Sequence, residues 1–215
     1  MDGVQKLTQI ADSMGFETDE TPAAAPDGSL LTLAGTESCP GPARERQADA
    51  HGLPIHMAAL PNGRRVPLLK SLLTSACERN CYYCPFRSGR DFRRVTFKPD
   101  ELAKLVVQLT EAKLIEGAFI SSGIAGGGVR TQDRLIAVAE ILRKKLNYRG
   151  YLHLKLMPGA EYAQIERAMQ LADRVSVNLE APNAKRLSLL APQKDMLDEL
   201  LQPLRVVEQI RRTQP

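Results

Sequence analysis

This 215-residue sequence is short of several things, and each shortage excludes a class of protein. No apolar run approaches the roughly 20 residues that a spanning helix needs, so no transmembrane segment is expected. The first residues, MDGVQKLTQIADSMGF, carry acidic side chains inside a short amphipathic pattern. That is neither a secretory signal nor a transit peptide, and the cytoplasm is the default location. Cysteine is scarce, with 4 in the chain, and without an export signal these do not read as a disulfide framework. The 3 histidines, His51, His56 and His153, show no paired spacing of the zinc-finger kind. Internal repeats are missing too, beyond a shared strand-then-helix rhythm. The triple glycine Gly126-Gly127-Gly128 has neither the Lys-Ser or Lys-Thr of a phosphate-binding loop nor the G-x-G-x-x-G pattern, and it is expected to be a mobile connection.

What remains is ordinary globular composition, 43% apolar and 25% charged, with length for one domain and a modest extension. Charge is unevenly distributed along the chain. Residues 1–60 hold 3 basic and 9 acidic side chains, residues 61–100 hold 9 basic and 3 acidic, and the net charge is +4. An acidic N-terminal segment is therefore followed by a basic one that can meet an anionic ligand or lie solvated in a loop.

Val4, Leu7, Ile10, Ala11 and Met14 recur at helical spacing and predict a short first helix. From about Thr18 to Arg65 the chain is rich in Pro, Gly, Ala and Ser, so residues 1–66 are expected to form a largely irregular leader. From Pro67 to Pro215 short apolar runs alternate with amphipathic stretches. VPLLKSLLTS, GAFISSG, YLHLKLMP and RVSVNLE read as buried parallel strands. Residues 99–116, 131–146, 161–171 and 195–212 read as helices, the last interrupted by Pro203, with Thr131 as a start signal for the second. The fold class is α/β, a parallel sheet or barrel built from strand-helix units of about 30 residues.

The string CERNCYYC places Cys77, Cys81 and Cys84 on the loop between the first strand and the first helix of this core, the edge where α/β barrels carry chemistry. Three thiolates on one loop can wrap a small metal centre and leave a four-position site one ligand short. A zinc site with a distant histidine, a redox pair at Cys81 and Cys84, and three buried inert thiols are the other readings of the same residues.

The C-x3-C-x2-C spacing, with the aromatic Tyr83 just before the third cysteine, resembles that of radical S-adenosylmethionine (SAM) enzymes. The resemblance implies that Cys77, Cys81 and Cys84 hold a 4Fe-4S cluster whose fourth iron is chelated by the amino and carboxylate groups of S-adenosylmethionine. Reduction by an electron donor of flavodoxin or ferredoxin type then cleaves S-adenosylmethionine to methionine and a 5′-deoxyadenosyl radical, which abstracts hydrogen from substrate. It also implies a partial (β/α)6 barrel, of which about four of six units are present here, and places Tyr83 beside the cofactor.

Ser121-Ser122-Gly123 ends the second strand where that family commonly has a small, Gly-rich segment contacting the methionine amino group, although the usual acidic residue is absent. His153 and Lys155 end the third strand, and Asn178 and Glu180 the fourth. Alternation puts each pair on one face. Asn178 and Glu180 suit ribose hydroxyls and Lys155 suits a carboxylate, while the plainer reading is polar side chains solvated at the rim. Arg87, Arg90, Arg93, Arg94 and Lys98 follow the cysteines and can balance cluster charge or bind substrate phosphate.

More narrowly, LLKSLLTSAC, FISSGI, HLKLMPGA and SVNLEAPNAKRLSLLAPQKD resemble the DNA modification/repair branch of that superfamily, from about His56 to Asp195. Members of the branch are often longer, with a C-terminal part that can include a helix-hairpin-helix-like segment. The resemblance thus implies a nucleic acid or other phosphorylated substrate, and either a C-terminally truncated member or one whose barrel a partner chain completes. A non-catalytic metal- or nucleic-acid-binding module is the alternative.

Overall fold

The computed structural model describes residues 1–14, 52–59 and 64–214. Five strands form one sheet in chain order: β1 (Ile55–Ala59), β2 (Arg65–Leu72), β3 (Gly117–Ser121), β4 (Tyr151–Lys155) and β5 (Arg174–Ser176). The four parallel strands β2 to β5 are the four apolar runs of the sequence. β1 pairs antiparallel with β2, from Ile55 opposite Leu69 to Ala59 opposite Arg65. It falls in the stretch read as irregular leader, so the sheet begins at Ile55 rather than Pro67. Two strand-length runs flanking Asn62-Gly63 are a hairpin signal, and the Pro and Gly density around them hid it. The remainder of the leader, with Cys39 and His51, lies outside the described residues.

Helix α1 (Gly3–Met14) is amphipathic as its spacing requires, with Leu7 and Ile10 fully buried. Its Lys6 Nζ donates to both Glu101 carboxylate oxygens, at 2.7 and 2.6 Å, in the first turn of α2 (Pro99–Glu111). Glu101 also accepts from the Lys98 amide, satisfying a donor that the start of a helix leaves open. α3 (Gly128–Glu140) runs on into a π-helical turn, Ile141–Lys145, and α4 (Tyr162–Leu171) follows β4. α5 (Ala184–Leu190) was not legible as a helix in the sequence. The last segment is a π-helical turn, Met196–Leu201, followed by α6 (Gln202–Thr213), with Pro203 in the first turn of α6, where a missing N–H costs nothing.

The glycine cluster is a built turn, not the mobile connection expected. Gly126 and Gly127 have φ of 80° and 89°. At Gly128 a Cβ would lie 1.7 Å from the Pro158 carbonyl oxygen, so only glycine lets α3 start against the turn that follows β4. α3 therefore begins ahead of Thr131. Thr131 stands inside the first turn, its hydroxyl donating to Gly127 O at 2.8 Å and accepting from the Ala125 amide at 3.2 Å.

Strand register gives the sheet two unlike faces. Leu69, Ala118 and Leu152 stand side by side and fully buried beneath the helices, joined by Ile120 and Leu154. On the other face Lys70, Phe119 and His153 form the corresponding row, with Leu72, Ser121 and Lys155 one step nearer the strand ends; all are only half-buried. A parallel sheet normally buries both faces. Here the inner face is only half-buried and mixes polar with apolar side chains. Among the described residues no helix is long and apolar enough to cross a membrane.

Candidate active site

The cysteine loop leaves β2 and returns to the place it left. Leu73 O accepts from the Phe97 amide at 2.9 Å, Val95 O accepts from the Ser75 amide at 2.8 Å, and the Thr74 and Thr96 hydroxyls meet at 2.6 Å. The neck is thus closed, and the residues between form a loop whose shape is fixed from inside. Arg94 does most of this. Its Nη1 donates to Ser75 O and Phe86 O at 2.8 and 2.6 Å, and its Nη2 to Arg87 O and Arg90 O at 2.7 and 2.9 Å. The guanidinium also lies 3.8 Å from the Phe92 ring centre. Of the basic stretch, Arg94 is accordingly not available to a phosphate. A planar five-donor fork is the one side chain that can collect four carbonyls at once.

The loop is zipped to the β3–α3 turn on one side. Gly123 N donates to Thr74 O at 2.7 Å, Glu78 N to Ile124 O at 2.8 Å, and the Glu78 carboxylate accepts from the Gly126 amide at 3.1 Å. A Cβ on Gly123 would lie 2.3 Å from Ala76 O, so glycine here reflects backbone approaching backbone. On the other side the loop is tied to the C-terminal segment by Tyr82 N to Leu190 O at 2.8 Å and by the Arg79–Glu199 ion pair at 2.6 Å. Two sulfurs receive amides: Ile124 N donates to Cys77 Sγ and Phe86 N to Cys84 Sγ, each at 3.4 Å. Cys81 is buried among Ala181, Leu187, Ala191 and Leu200. Burial pushes the Cys81 thiol up, and the nearby Lys194 ammonium only partly offsets that.

Beside the loop lies a cavity of about 290 Å³. Cys77, Cys81, Cys84, Tyr83, Ser121, Ser122, Gly123, Lys155, Asn178 and Glu180 all line it, whereas His153 and the basic stretch Arg87, Arg90, Arg93, Arg94 and Lys98 do not. His153 shares the inner face of Lys155, as alternation requires, but lies flat on Phe119, with ring centres 4.3 Å apart, and its Nε2 meets Ser176 Oγ at 2.8 Å. Burial first, then the neighbouring Arg174 and Lys155 charges, bring its pKa down to about 4. It is a neutral residue packed on Phe119 and does not line the cavity.

Asn178 and Glu180 reach the cavity for a different reason from the one expected. β5 ends at Ser176, and Glu180 has φ of 53°, so strand alternation does not apply to them. Both Glu180 oxygens accept from Lys194 Nζ at 2.7 Å, in an ion pair whose side chains are 8% and 10% exposed. Lys194 also donates to the Tyr83 hydroxyl at 3.3 Å. Burial and the Glu180 carboxylate hold the Tyr83 hydroxyl well above its ordinary pKa, so it keeps its proton. Lys155 Nζ donates to Asn178 Oδ1 at 2.6 Å. Sequence reasoning missed Lys194, Arg79 and Lys70. Lys194 has no local signature, because its partner lies across an irregular turn. The alternation of Lys70 with buried Leu69 and Ser71 was legible.

Among the described residues no three His, Cys, Asp or Glu side chains close on one point as the ligands of a single metal ion would. Three thiols carried by one loop, two of them already receiving backbone N–H groups, suit a sulfur-ligated iron cluster, in which each thiolate takes a different iron.

Residues 71–210 match the family model described as the radical SAM superfamily. The chain belongs to that superfamily. No curated protein sequence matches it. Among solved structures, this radical SAM chain is similar to methylornithine synthase (PylB), at 14% identity and a TM-score of 0.54, over 67% of this chain and 42% of that one. It is similar also to the FeFe-hydrogenase maturase HydG from Carboxydothermus hydrogenoformans, at 18% identity and a TM-score of 0.56, over 66% of this chain and 33% of the other. These likenesses are of fold: a mostly parallel α/β sheet that is part of a radical SAM barrel. The chain spans between a third and somewhat over two fifths of the length of those structures. Members of the superfamily use a 4Fe-4S cluster and S-adenosylmethionine, and they draw on a reductant.

Proposed function

We propose that this chain is a radical SAM enzyme domain in which Cys77, Cys81 and Cys84 hold a 4Fe-4S cluster and the adjoining cavity receives S-adenosylmethionine and substrate. The observation that carries this is the convergence of the three cysteines, Ser121-Ser122-Gly123 and Asn178 on one cavity from separate strand ends. When bound, cluster and S-adenosylmethionine together supply an electron and a 5′-deoxyadenosyl radical for hydrogen abstraction. The chain's own residues do the rest. The Ile124 and Phe86 amides stabilise negative charge on Cys77 and Cys84, as charge-assisted donors to thiolate do. Arg94 holds the loop in one shape before anything binds, so ligation does not have to order it. Ser122 and Gly123 keep the β3 edge low, which allows close approach of a ligand's polar groups. Asn178, exposed at the rim, is the residue suited to ribose hydroxyls, whereas Glu180 is committed to Lys194 and acts by fixing Asn178 and Tyr83. A small redox protein of flavodoxin or ferredoxin type is the fitting electron donor.

The reading of nucleic acid as substrate rests on the sequence resemblance of four segments to the DNA modification/repair branch, and it loses one support because Arg94 is internal to the loop. Anaerobic reconstitution with iron and sulfide tests the main reading. The expected result is a broad visible absorption lost in the Cys77→Ala, Cys81→Ala and Cys84→Ala variants, with 5′-deoxyadenosine formed from S-adenosylmethionine after chemical reduction. Full iron binding in the triple variant would show the ligand assignment to be wrong.

A further inference from the structure

The cavity lining is electrostatically unbalanced, and the imbalance sits in one place. Its basic residues are Lys70, Arg79, Lys155 and Lys194, and Glu180 is its one carboxylate. Arg79 is paired with Glu199 and Lys194 with Glu180. Among the described residues neither Lys70 nor Lys155 forms an ion pair: Lys155 donates to the neutral Asn178 amide oxygen, and Glu180, already held by Lys194, acts on it without a direct contact. The two lysines stand on the inner face of β2 and β4, with Phe119 of β3 between them. Lys70 is directly opposite Phe119 in register, and Lys155 Nζ lies 5.3 Å from the centre of the Phe119 ring. Two strand spacings across the sheet and two residues along it, about 12 Å in all, separate their backbones, which two long side chains leaning over one ring can close. Burial pushes the Lys155 ammonium down; the Glu180 carboxylate opposes that in part, and Lys70, Lys194 and Arg174 add to it. Half-buried like charges are costly to keep side by side unless a ligand neutralises them.

We infer that Lys70 and Lys155 form an oxyanion site on the floor of the cavity, over Phe119, that takes a carboxylate or phosphate group of the substrate. As a substrate site it rests on the radical SAM reading above. It makes the substrate an anionic molecule small enough to enter between the cysteine loop and the sheet, with its anion anchored on the strands and its reacting carbon toward the cysteines. It also assigns Lys155, whose ammonium lies over the Phe119 ring and 2.6 Å from Asn178 Oδ1, to the substrate instead of the cofactor.

Amine acylation of the full chain, read residue by residue by mass spectrometry, tests this. Inorganic phosphate, acetate and S-adenosylmethionine are added separately to the apoprotein and to the reconstituted protein. Phosphate or acetate is expected to slow acylation of Lys70 and Lys155 together by about tenfold, the effect of one pKa unit of added favourable charge, while exposed Lys104 and Lys113 are unchanged. Whichever of the two anions protects better identifies the group. Lys70→Met is expected to abolish the protection of Lys155 and Lys70→Arg to keep it, both with iron content retained. No protection by either anion overturns the proposal. So does joint protection by S-adenosylmethionine alone, which would make its carboxylate the occupant, and so does iron loss in Lys70→Met, which would make the lysine a counter-charge for the cluster. Protection by anion with no 5′-deoxyadenosine formed by the reconstituted protein would instead sink the radical reading and leave the oxyanion site standing.

Discussion

Replacing Arg94 by methionine removes four charge-assisted hydrogen bonds and a ring contact from the cysteine loop in a single change. Hydrogen bonds to a charged group contribute about 1.5–3 kcal/mol each in isolation. The sum overstates the loss, because the freed carbonyls of Arg87 and Arg90 lie on half-buried residues and can recover water. Ser75 and Phe86 are buried, and their carbonyls are the two whose partner cannot be replaced easily. Counting those two fully and the others little gives a destabilisation of about 3 kcal/mol. For a chain of this size that corresponds to a Tm lower by roughly 6–12 °C. Urea unfolding followed by circular dichroism measures it, with iron content after reconstitution as the second readout. Arg94→Lys, which can satisfy one or two of the four carbonyls, is expected to retain more than half of the loss. Arg93→Met is the control, since Arg93 is exposed and a surface change should stay within about 0.5 kcal/mol. A midpoint for Arg94→Met equal to that of Arg93→Met, with full iron, would refute the view that Arg94 shapes the loop from within.

Two more perturbations probe the cavity wall and floor. Lys194→Met leaves the Glu180 carboxylate buried without its cation and is expected to destabilise by about 3–5 kcal/mol, whereas the double variant Lys194→Met/Glu180→Gln should recover much of that. A double-mutant cycle with near-zero coupling would contradict a buried pair. The low His153 pKa, about 4 in the folded chain, means that the unfolded chain takes up a proton near 6.5 while the native state does not. Stability is therefore whole above about pH 6.5 and falls as pH drops toward 4, by roughly 1–3 kcal/mol for this partly buried group. His153→Gln should flatten the stability profile across that window, and an unchanged profile would place the acid sensitivity elsewhere.

Local sequence carried the parts of this protein that depend on short-range periodicity. The alternation in GAFIS and YLHLK, with Ala118, Ile120, Leu152 and Leu154 turned to the helices, and the Leu7 and Ile10 stripe of α1 could be read directly, because each strand or helix sorts its own residues by burial. The same periodicity could have put Lys70 on the inner face, but it was not read there. β1 was lost because it is short and set among prolines and glycines, and Gly128 was misread because its requirement comes from Pro158 on another loop.

The sequence by itself determined the α/β class and its four parallel strands, the three clustered thiols and the small residues at Ser121-Ser122-Gly123, since spacing along the chain is enough to bring those together. Tertiary structure decided everything that depends on residues far apart in the chain: that Arg94 faces inward to four carbonyls instead of outward to an anion, that Glu180 is joined to Lys194, and that His153 is stacked on Phe119 and does not line the cavity. Charge and side-chain type are legible in one dimension. Whether a charge is already neutralised depends on which backbone or carboxylate the fold sets within about 3 Å of it, and only packing fixes that.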